Sequence, residues 1–334
     1  MHIMIWVCLA VREAKVRVRM RNTITVMNAK GGVGKSTLVL ALAETLATYH
    51  SKSVLVVDAD AQASVSYMLA RQPVLETAQS GGRTIVDYLI GAVLKDSGPS
   101  WQEFVMPDVS DVDDARSISL IASDTDLTLF EREVSKGEHE TRLRTSIRTL
   151  LTEAGQRYDI VLVDSAPGLS VLTECFLREA DFYVSPTRPD YISTRGLGFL
   201  REFRERNPEM GFARNLGVII NMKDLLSQED EQVDRWLRRD VEHRCFHESI
   251  PRVTPLQATG AISPQTRSYW AKYPGETGGY LRRLTHELLT RLANVRDAAV
   301  TDTASSGEMA EEAGKRGEGK MRGMWATWVE RRTA

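Results

Sequence analysis

The sequence predicts an α/β protein with a mostly parallel sheet and helices on both faces. Three observations predict it. Short runs rich in β-branched residues alternate with longer segments of helical spacing. The runs are apolar throughout rather than at every second residue, the pattern of strands covered on both faces. The first run leads into a glycine-rich turn, "KGGVGKST", that opens the first helical segment.

The elements follow in order. "TITVMN" (23–28) reads as a buried strand and "KSTLVLALAETLATYH" (35–50) as a helix. "SVLVVDAD" (53–60) and "SISLIAS" (117–123) are the next strands, and a charged helical stretch then runs through Leu151. "YDIVLVDSAP" (158–167) is a strand running into a turn. "DFYVSPTRP" (181–189), "LGVIINM" (216–222) and "CFHESIP" (245–251) complete the set, with charged amphipathic helices between the later strands. Residues 71–115, with "SGG", "SGPS" and "DVSDVDD", read as a helix flanked by long loops. The expected organisation is a loose N-terminal arm or mis-called start over 1–19, one domain over 20–298, and a flexible tail over 299–334.

Composition excludes several classes. The 334 residues are 42% apolar and 26% charged with a net charge of -2, so no global basic field attracts polyanions. Cys8, Cys175 and Cys245 form no CxxC. This excludes a disulfide framework or a four-cysteine zinc site and fits a reducing cytosol. "MHIMIWVCLAV" has too few apolar residues to span a bilayer, and "REAKVRVRM" stands where a signal cleavage site would.

The glycine turn carries the chemistry. Gly31, Gly32 and Gly34, with Val33 between, let the backbone turn tightly and aim N–H groups inward at a helix N-terminus. Lys35 is placed to reach β- and γ-phosphates, the Ser36 hydroxyl to bind Mg²⁺, and Thr37 to follow in the first turn. Asp164 closes "IVLVD" as an outer-sphere Mg²⁺ ligand. Asp58 and Asp60 close "VLVVDAD" on one side of a continuing strand, where they would position a water and tune the Mg²⁺ shell. No glutamate follows Asp164, which moves water positioning to the Asp58/Asp60 side. A capping or turn role stays open for each aspartate.

"KGGVGKST", "VLVVDADAQAS" and "YDIVLVDSAPGLS" together resemble the three nucleotide motifs of the ParA/MinD family, ATPases with a deviant Walker A motif on the P-loop NTPase fold. The resemblance continues through "SPTRPDYISTRGLGFL", "GVIINM" and "SIPRVTPLQA", over roughly residues 20–295. "DADAQAS" departs from a motif that more usually contains proline, and "DSAPGLS" from one where two prolines often follow the aspartate. The resemblance implies ATP and Mg²⁺ as cofactors, with weak hydrolysis stimulated by a ParB-like or other partner. It also implies a homodimer formed on ATP binding, in which Lys30 reaches the partner's ATP phosphates. Charge agrees, since one lysine and one Mg²⁺ leave ATP negative and a second cation joins nucleotide binding to dimerisation. By the same resemblance Asn221 contacts the base, while Pro251 and Arg252 wrap the adenine. An ordinary strand-end or turn role stays open for these three.

The partition or cargo-positioning branch of the family implies nonspecific DNA binding and a cytoplasmic, nucleoid-associated location. DNA would meet arginine patches. "REFRERNPEMGFAR" offers Arg204 and Arg206 beside Arg201 and Arg214; "DRWLRRDVEHR" offers Arg235, Arg238 and Arg239 beside Arg244. Arg238 stands fourteen residues before Arg252, a spacing at which relatives place a DNA-contacting arginine. Acids interleave both clusters, so a salt-bridged solvated face stays open. The tail "KMRGMWATWVERR" sets Met321, Met324, Trp325 and Trp328 at helical spacing between basic residues, which keeps a MinD-like membrane-associated ATPase as an alternative. A synthetase on the same scaffold is the other. An iron–sulfur reductase is disfavoured by Cys175 in an expected helix and Cys245 in an expected strand, and a tyrosine kinase by the lack of tyrosine after Tyr280.

Overall fold

The computed structural model describes residues 22–296 apart from 96, 259 and 261. The expected arm over 1–19 and tail over 299–334, with its amphipathic helix, lie outside the described residues. The chain divides into two units, 1–287 and 288–334. The first holds the sheet; in the second, residues 288–296 are described and are helical.

Seven strands form one sheet in the order β3-β4-β2-β5-β1-β6-β7. They are β1 (Thr23–Val26), β2 (Val54–Ala59), β3 (Val105–Pro107), β4 (Ile118–Ile121), β5 (Ile160–Ser165), β6 (Phe182–Thr187) and β7 (Arg214–Ile220). All pairs are parallel except β3 with β4. Every residue of β1, β2, β4, β5 and β6 is buried, as their unbroken apolar runs require. The helices include α1 (Lys35–His50), α2 (Ser64–Leu69), α3 (Gln72–Ser80), α4 (Ile85–Leu89), α5 (Leu127–Val134), α6 (Glu140–Arg157), α7 (Val171–Glu179), α8 (Tyr191–Arg206) and α9 (Gln228–Arg239), and residues 276–287 are also helical. One core joins Leu55, Val57 and Val163 of the sheet to Ile85, Ile147, Leu150 and Phe176 of the helices. A smaller one joins Leu197 of α8 and Leu237 of α9 to Val218 and Ile220.

Three expectations need correction. Residues 245–251 form no strand. Phe246 and Ile250 donate N–H bonds of 2.8 Å to Val218 and Ile220 of β7, a step of four residues against two, so the ladder is broken between them. Residues 71–115 are more ordered than a helix between long loops. They hold α3, then α4 with Thr84 and Asp87 as a capping box, then a π-helical turn over Ile90–Leu94 and a 3₁₀ turn that buries Trp101 and Phe104. β3 follows as a three-residue edge strand ending in Pro107, the position where a missing donor is tolerated. The charged helical stretch is two helices, α5 and α6, parted at Gly137, whose φ is 89°.

A buried ionic cluster holds α1 from outside the sheet. Lys272 Nζ donates to Glu44 Oε1 at 2.7 Å and Asp111 Oδ1 at 2.6 Å. Ser110 and Tyr273 donate their hydroxyls to Glu44, and Arg267 pairs with Asp111 at 2.8 Å.

Candidate nucleotide-binding site

The parallel strands deliver their carboxyl ends to one edge. In register, Asp164 lies beside Val26 on one side and Asp58 on the other, so the loops after β1, β2 and β5 converge where the strand order turns back on itself.

The loop after β1 is braced at both ends. Asn28 is buried. Its Nδ2 donates to Pro186 O at 2.8 Å, and its Oδ1 accepts the Lys30 N–H at 2.9 Å. A Cβ at Gly196 of α8 would collide with that Oδ1, so this glycine lets the helix approach. At the far end Asn221 Nδ2 donates to Val33 O at 2.9 Å. Gly34 has φ 84°, and a Cβ there would stand 2.5 Å from the same Nδ2. Conformation and space both demand glycine. Gly32 shares the positive φ, at 75°. α1 begins at Lys35 with no side-chain cap and no acid in its first turn, which leaves its N–H groups and positive end open to an anion.

The two lysines differ. Lys35 is 6% exposed; burial lowers its pKa, against the pull of Asp164 and then Asp60. Lys30 is exposed, and its ammonium has no partner among the described residues. Gly31 and Gly32 are exposed beside it, while Ser36 and Thr37 are half-buried at the start of α1.

Asp164 is fully buried, and neither carboxylate oxygen makes a hydrogen bond. Burial and the charge of Asp58 raise its pKa, against the nearby Ser36 hydroxyl and Lys35 ammonium. Such an orphaned carboxylate beside a hydroxyl suits a cation. Among the described residues no group of three or more His, Cys, Asp or Glu could hold a metal alone. A cation here must therefore take further oxygens from a ligand and water, which is the habit of Mg²⁺ with phosphates.

Asp58 and Asp60 are not equivalent. β2 ends at Ala59, so strand alternation does not carry to Asp60. Asp58 is fully buried, and its carboxylate is committed internally. Oδ2 accepts the Ser66 N–H at 2.9 Å and hydroxyl at 2.7 Å, and Oδ1 accepts the Asp60 N–H at 3.1 Å. Burial pushes its pKa up to about 7 despite those bonds. Asp60 is half-buried and accepts the Gln62 N–H at 2.9 Å with Oδ1. Of the two, Asp60 is the more accessible, and Asp58 holds the turn through the Asp60 N–H.

A pocket beside the start of α1 gathers Thr37, Asn221, Pro251, Arg252, Val253 and Leu256. The three residues assigned to adenine by resemblance thus share one wall, and Asn221 has the additional task of holding the loop.

The arginines scatter into different roles. Arg238 donates to Asp234, to Phe246 O at 2.7 Å and to Ser249 Oγ at 2.7 Å, tying α9 to the segment after it. Arg204 donates to Tyr183 Oη at 2.6 Å and lies over that ring. The bonds of Arg238 thus hold packing together, while Arg204 is pinned to Tyr183. Arg206 pairs with Glu202, and Arg235 with Glu231 at 3.4 Å. Arg239 is exposed and unpaired among the described residues.

Sequence reasoning missed Asn28, Gly196 and Ser66. A glycine inside the helical pattern "STRGLG" signalled a close approach. Nothing in the local pattern signalled the other two: Asn28 reaches Pro186 far along the chain, and Ser66 meets Asp58 only once the chain has turned between them.

A parallel sheet feeding a glycine loop, a buried lysine and an uncapped helix define a P-loop nucleotide-binding protein. The AAA domain family matches residues 21–210. The chromosome partitioning protein ParA of Caulobacter vibrioides is 27% identical over 274 residues, 80% of this chain and 94% of its own. The chromosome-partitioning ATPase Soj of Thermus thermophilus is 30% identical over 285 residues, 84% and 98% of the two chains. The chain belongs to the ParA/MinD family of P-loop ATPases. Two solved structures share the fold. Apo McdA of Cyanothece superposes with a TM-score of 0.64 at 19% identity, covering 80% of this chain and 99% of its own. Cobyrinic acid a,c-diamide synthase of Mycobacterium smegmatis, with bound ADP and magnesium, gives 0.63 at 20% identity, covering 82% and 96%. No helix among the described residues is long and apolar enough to cross a membrane.

Proposed function

We propose that this protein is a partition or cargo-positioning ATPase that dimerises around ATP and Mg²⁺. The observation that carries the reading is the unequal pair of lysines. Lys35 is buried beneath the loop and serves the bound phosphates, while the partnerless Lys30 ammonium stands outside on the same loop. A cation so placed suits the phosphates of a second subunit's nucleotide.

In this reading the N–H groups of Gly31, Gly32, Val33 and Gly34 and the start of α1 hold the phosphates. Thr37, Asn221, Pro251 and Arg252 flank the base. Ser36 and Asp164 hold Mg²⁺, which supplies charge neutralisation at the phosphates. Asp60 orients the attacking water, and Asp58 fixes the Asp60 turn. Little covalent chemistry falls to the protein, because phosphoryl transfer depends on placement and charge. ATP-bound dimers then bind DNA without sequence preference through exposed arginines, foremost Arg239, with Arg235 and Arg206 exchanging their exposed carboxylate partners for phosphates. A ParB-like partner stimulates hydrolysis and release, in the cytoplasm and on the nucleoid. The partitioning names of the relatives support this branch.

Lys30→Ala is expected to retain ATP binding and lose ATP-dependent dimerisation. Light scattering with and without ATP–Mg²⁺ checks it, and an undiminished dimer would overturn the trans role of Lys30.

A further inference from the structure

We propose that the cavity between β6, β7 and α8 binds a small organic monoanion, an apolar or aromatic body carrying one carboxylate. Its volume is about 380 Å³, and its lining shares no residue with the pocket beside α1. Sites for small ligands have this size, with mostly apolar walls and a few placed polar groups. Leu197, Leu200 and Val218 supply the apolar walls.

The polar groups are unevenly satisfied. Arg201 has its charge answered by Asp240 at 2.9 Å and Glu242 at 3.0 Å. Arg204 has no carboxylate partner among the described residues. It is held by the Tyr183 hydroxyl and by the Tyr183 ring, whose centroid lies 5.1 Å from the guanidinium carbon. Arg204 Nε is buried with no acceptor. Ser185 also lines the cavity, is 2% exposed, and its hydroxyl is likewise buried without a partner. Folded proteins pair nearly all such groups. Two donors lacking acceptors, one on an uncompensated cation, call for acceptor oxygens bearing one negative charge. The charged residues of the lining, Arg201, Arg204 and Arg244 against Glu205 and Glu242, leave one positive charge for a ligand to answer.

The test uses 3-phenylpropanoate and its neutral analogue 3-phenylpropanamide, titrated calorimetrically into the full chain with saturating ATP–Mg²⁺ present. The carboxylate is expected to bind saturably, one per chain, and about tenfold or more tighter than the amide. Arg204→Met is expected to erase that preference. Ser185→Ala, a smaller change that keeps the fold if the arginine variant does not, is expected to weaken the carboxylate several-fold, with thermal melts verifying folding. Equal binding of the two probes, no binding at millimolar concentration, loss of the site when ATP is added, or unchanged carboxylate affinity in folded Ser185→Ala would each overturn the proposal.

Discussion

The phosphate loop and the arginine-bearing helices use charge in opposite ways. Around the loop the backbone is held by internal bonds from Asn28 and Asn221, while among the described residues the Lys30 ammonium and the Asp164 carboxylate lack hydrogen-bonding partners. On α8 and α9 most guanidinium groups are already answered: Arg201 by Asp240 and Glu242, Arg206 by Glu202, Arg235 by Glu231, Arg238 by Asp234. A site built for a ligand keeps its scaffold rigid and its reactive groups unsatisfied. A packing surface satisfies its charges within the chain. Counting charges in the sequence cannot separate the two; counting their remaining partners can.

Substitutions that remove one charge at a time put this contrast under strain. Lys35→Ala is expected to produce the largest effect, about a thousandfold loss of nucleotide affinity, from about 4 kcal/mol of charge-assisted bonding. Titration with a fluorescent ATP analogue measures it, and near-normal affinity would remove Lys35 from the phosphate site. The next effect is a pH slope in the nucleotide-free protein. Asp58 and Asp164 hold protons more tightly folded than unfolded, because both pKa values are raised. Stability from this source is therefore greatest near pH 4 and falls as the pH rises toward 7, by on the order of 2–3 kcal/mol. Urea unfolding at pH 5 and pH 8 reads it, and Asp58→Asn is expected to flatten part of the slope. The smallest effects compare neighbours on α9. Arg238→Ala is expected to lower stability by about 1–2 kcal/mol through its lost bonds. Arg239→Ala should change it by no more than about 0.5 kcal/mol. Equal unfolding midpoints for the two variants would dissolve the distinction between structural and free arginines.

What the sequence revealed follows the same line. The loop from Val26 to Lys35 was legible because its constraints are local: positive φ at Gly32 and Gly34, strand before, helix after. The six parallel strands were legible from unbroken apolar runs. Residues 245–251 misled because the stretch runs beside β7 but bulges by two residues between its bonds to Val218 and Ile220. β3 was too short to register as a pattern. The unequal fates of Asp58 and Asp60 depended on Ser66, and that of Arg238 on Phe246 and Ser249, through pairings that only the folded chain brings together.

The ionic cluster under α1 imposes an order on synthesis. Glu44 lies on the helix that presents Lys35, and its partner Lys272 comes 228 residues later. At ordinary translation speeds that separation is roughly 10–50 s of elongation. Throughout that interval the nascent helix has a glutamate that cannot be buried in its final place without an unanswered charge. The charge that answers Glu44 therefore arrives only after almost the whole described chain has been made. A chain cut short of Lys272 would carry the complete glycine motif and still leave Glu44 and Asp111 without the ammonium that answers them.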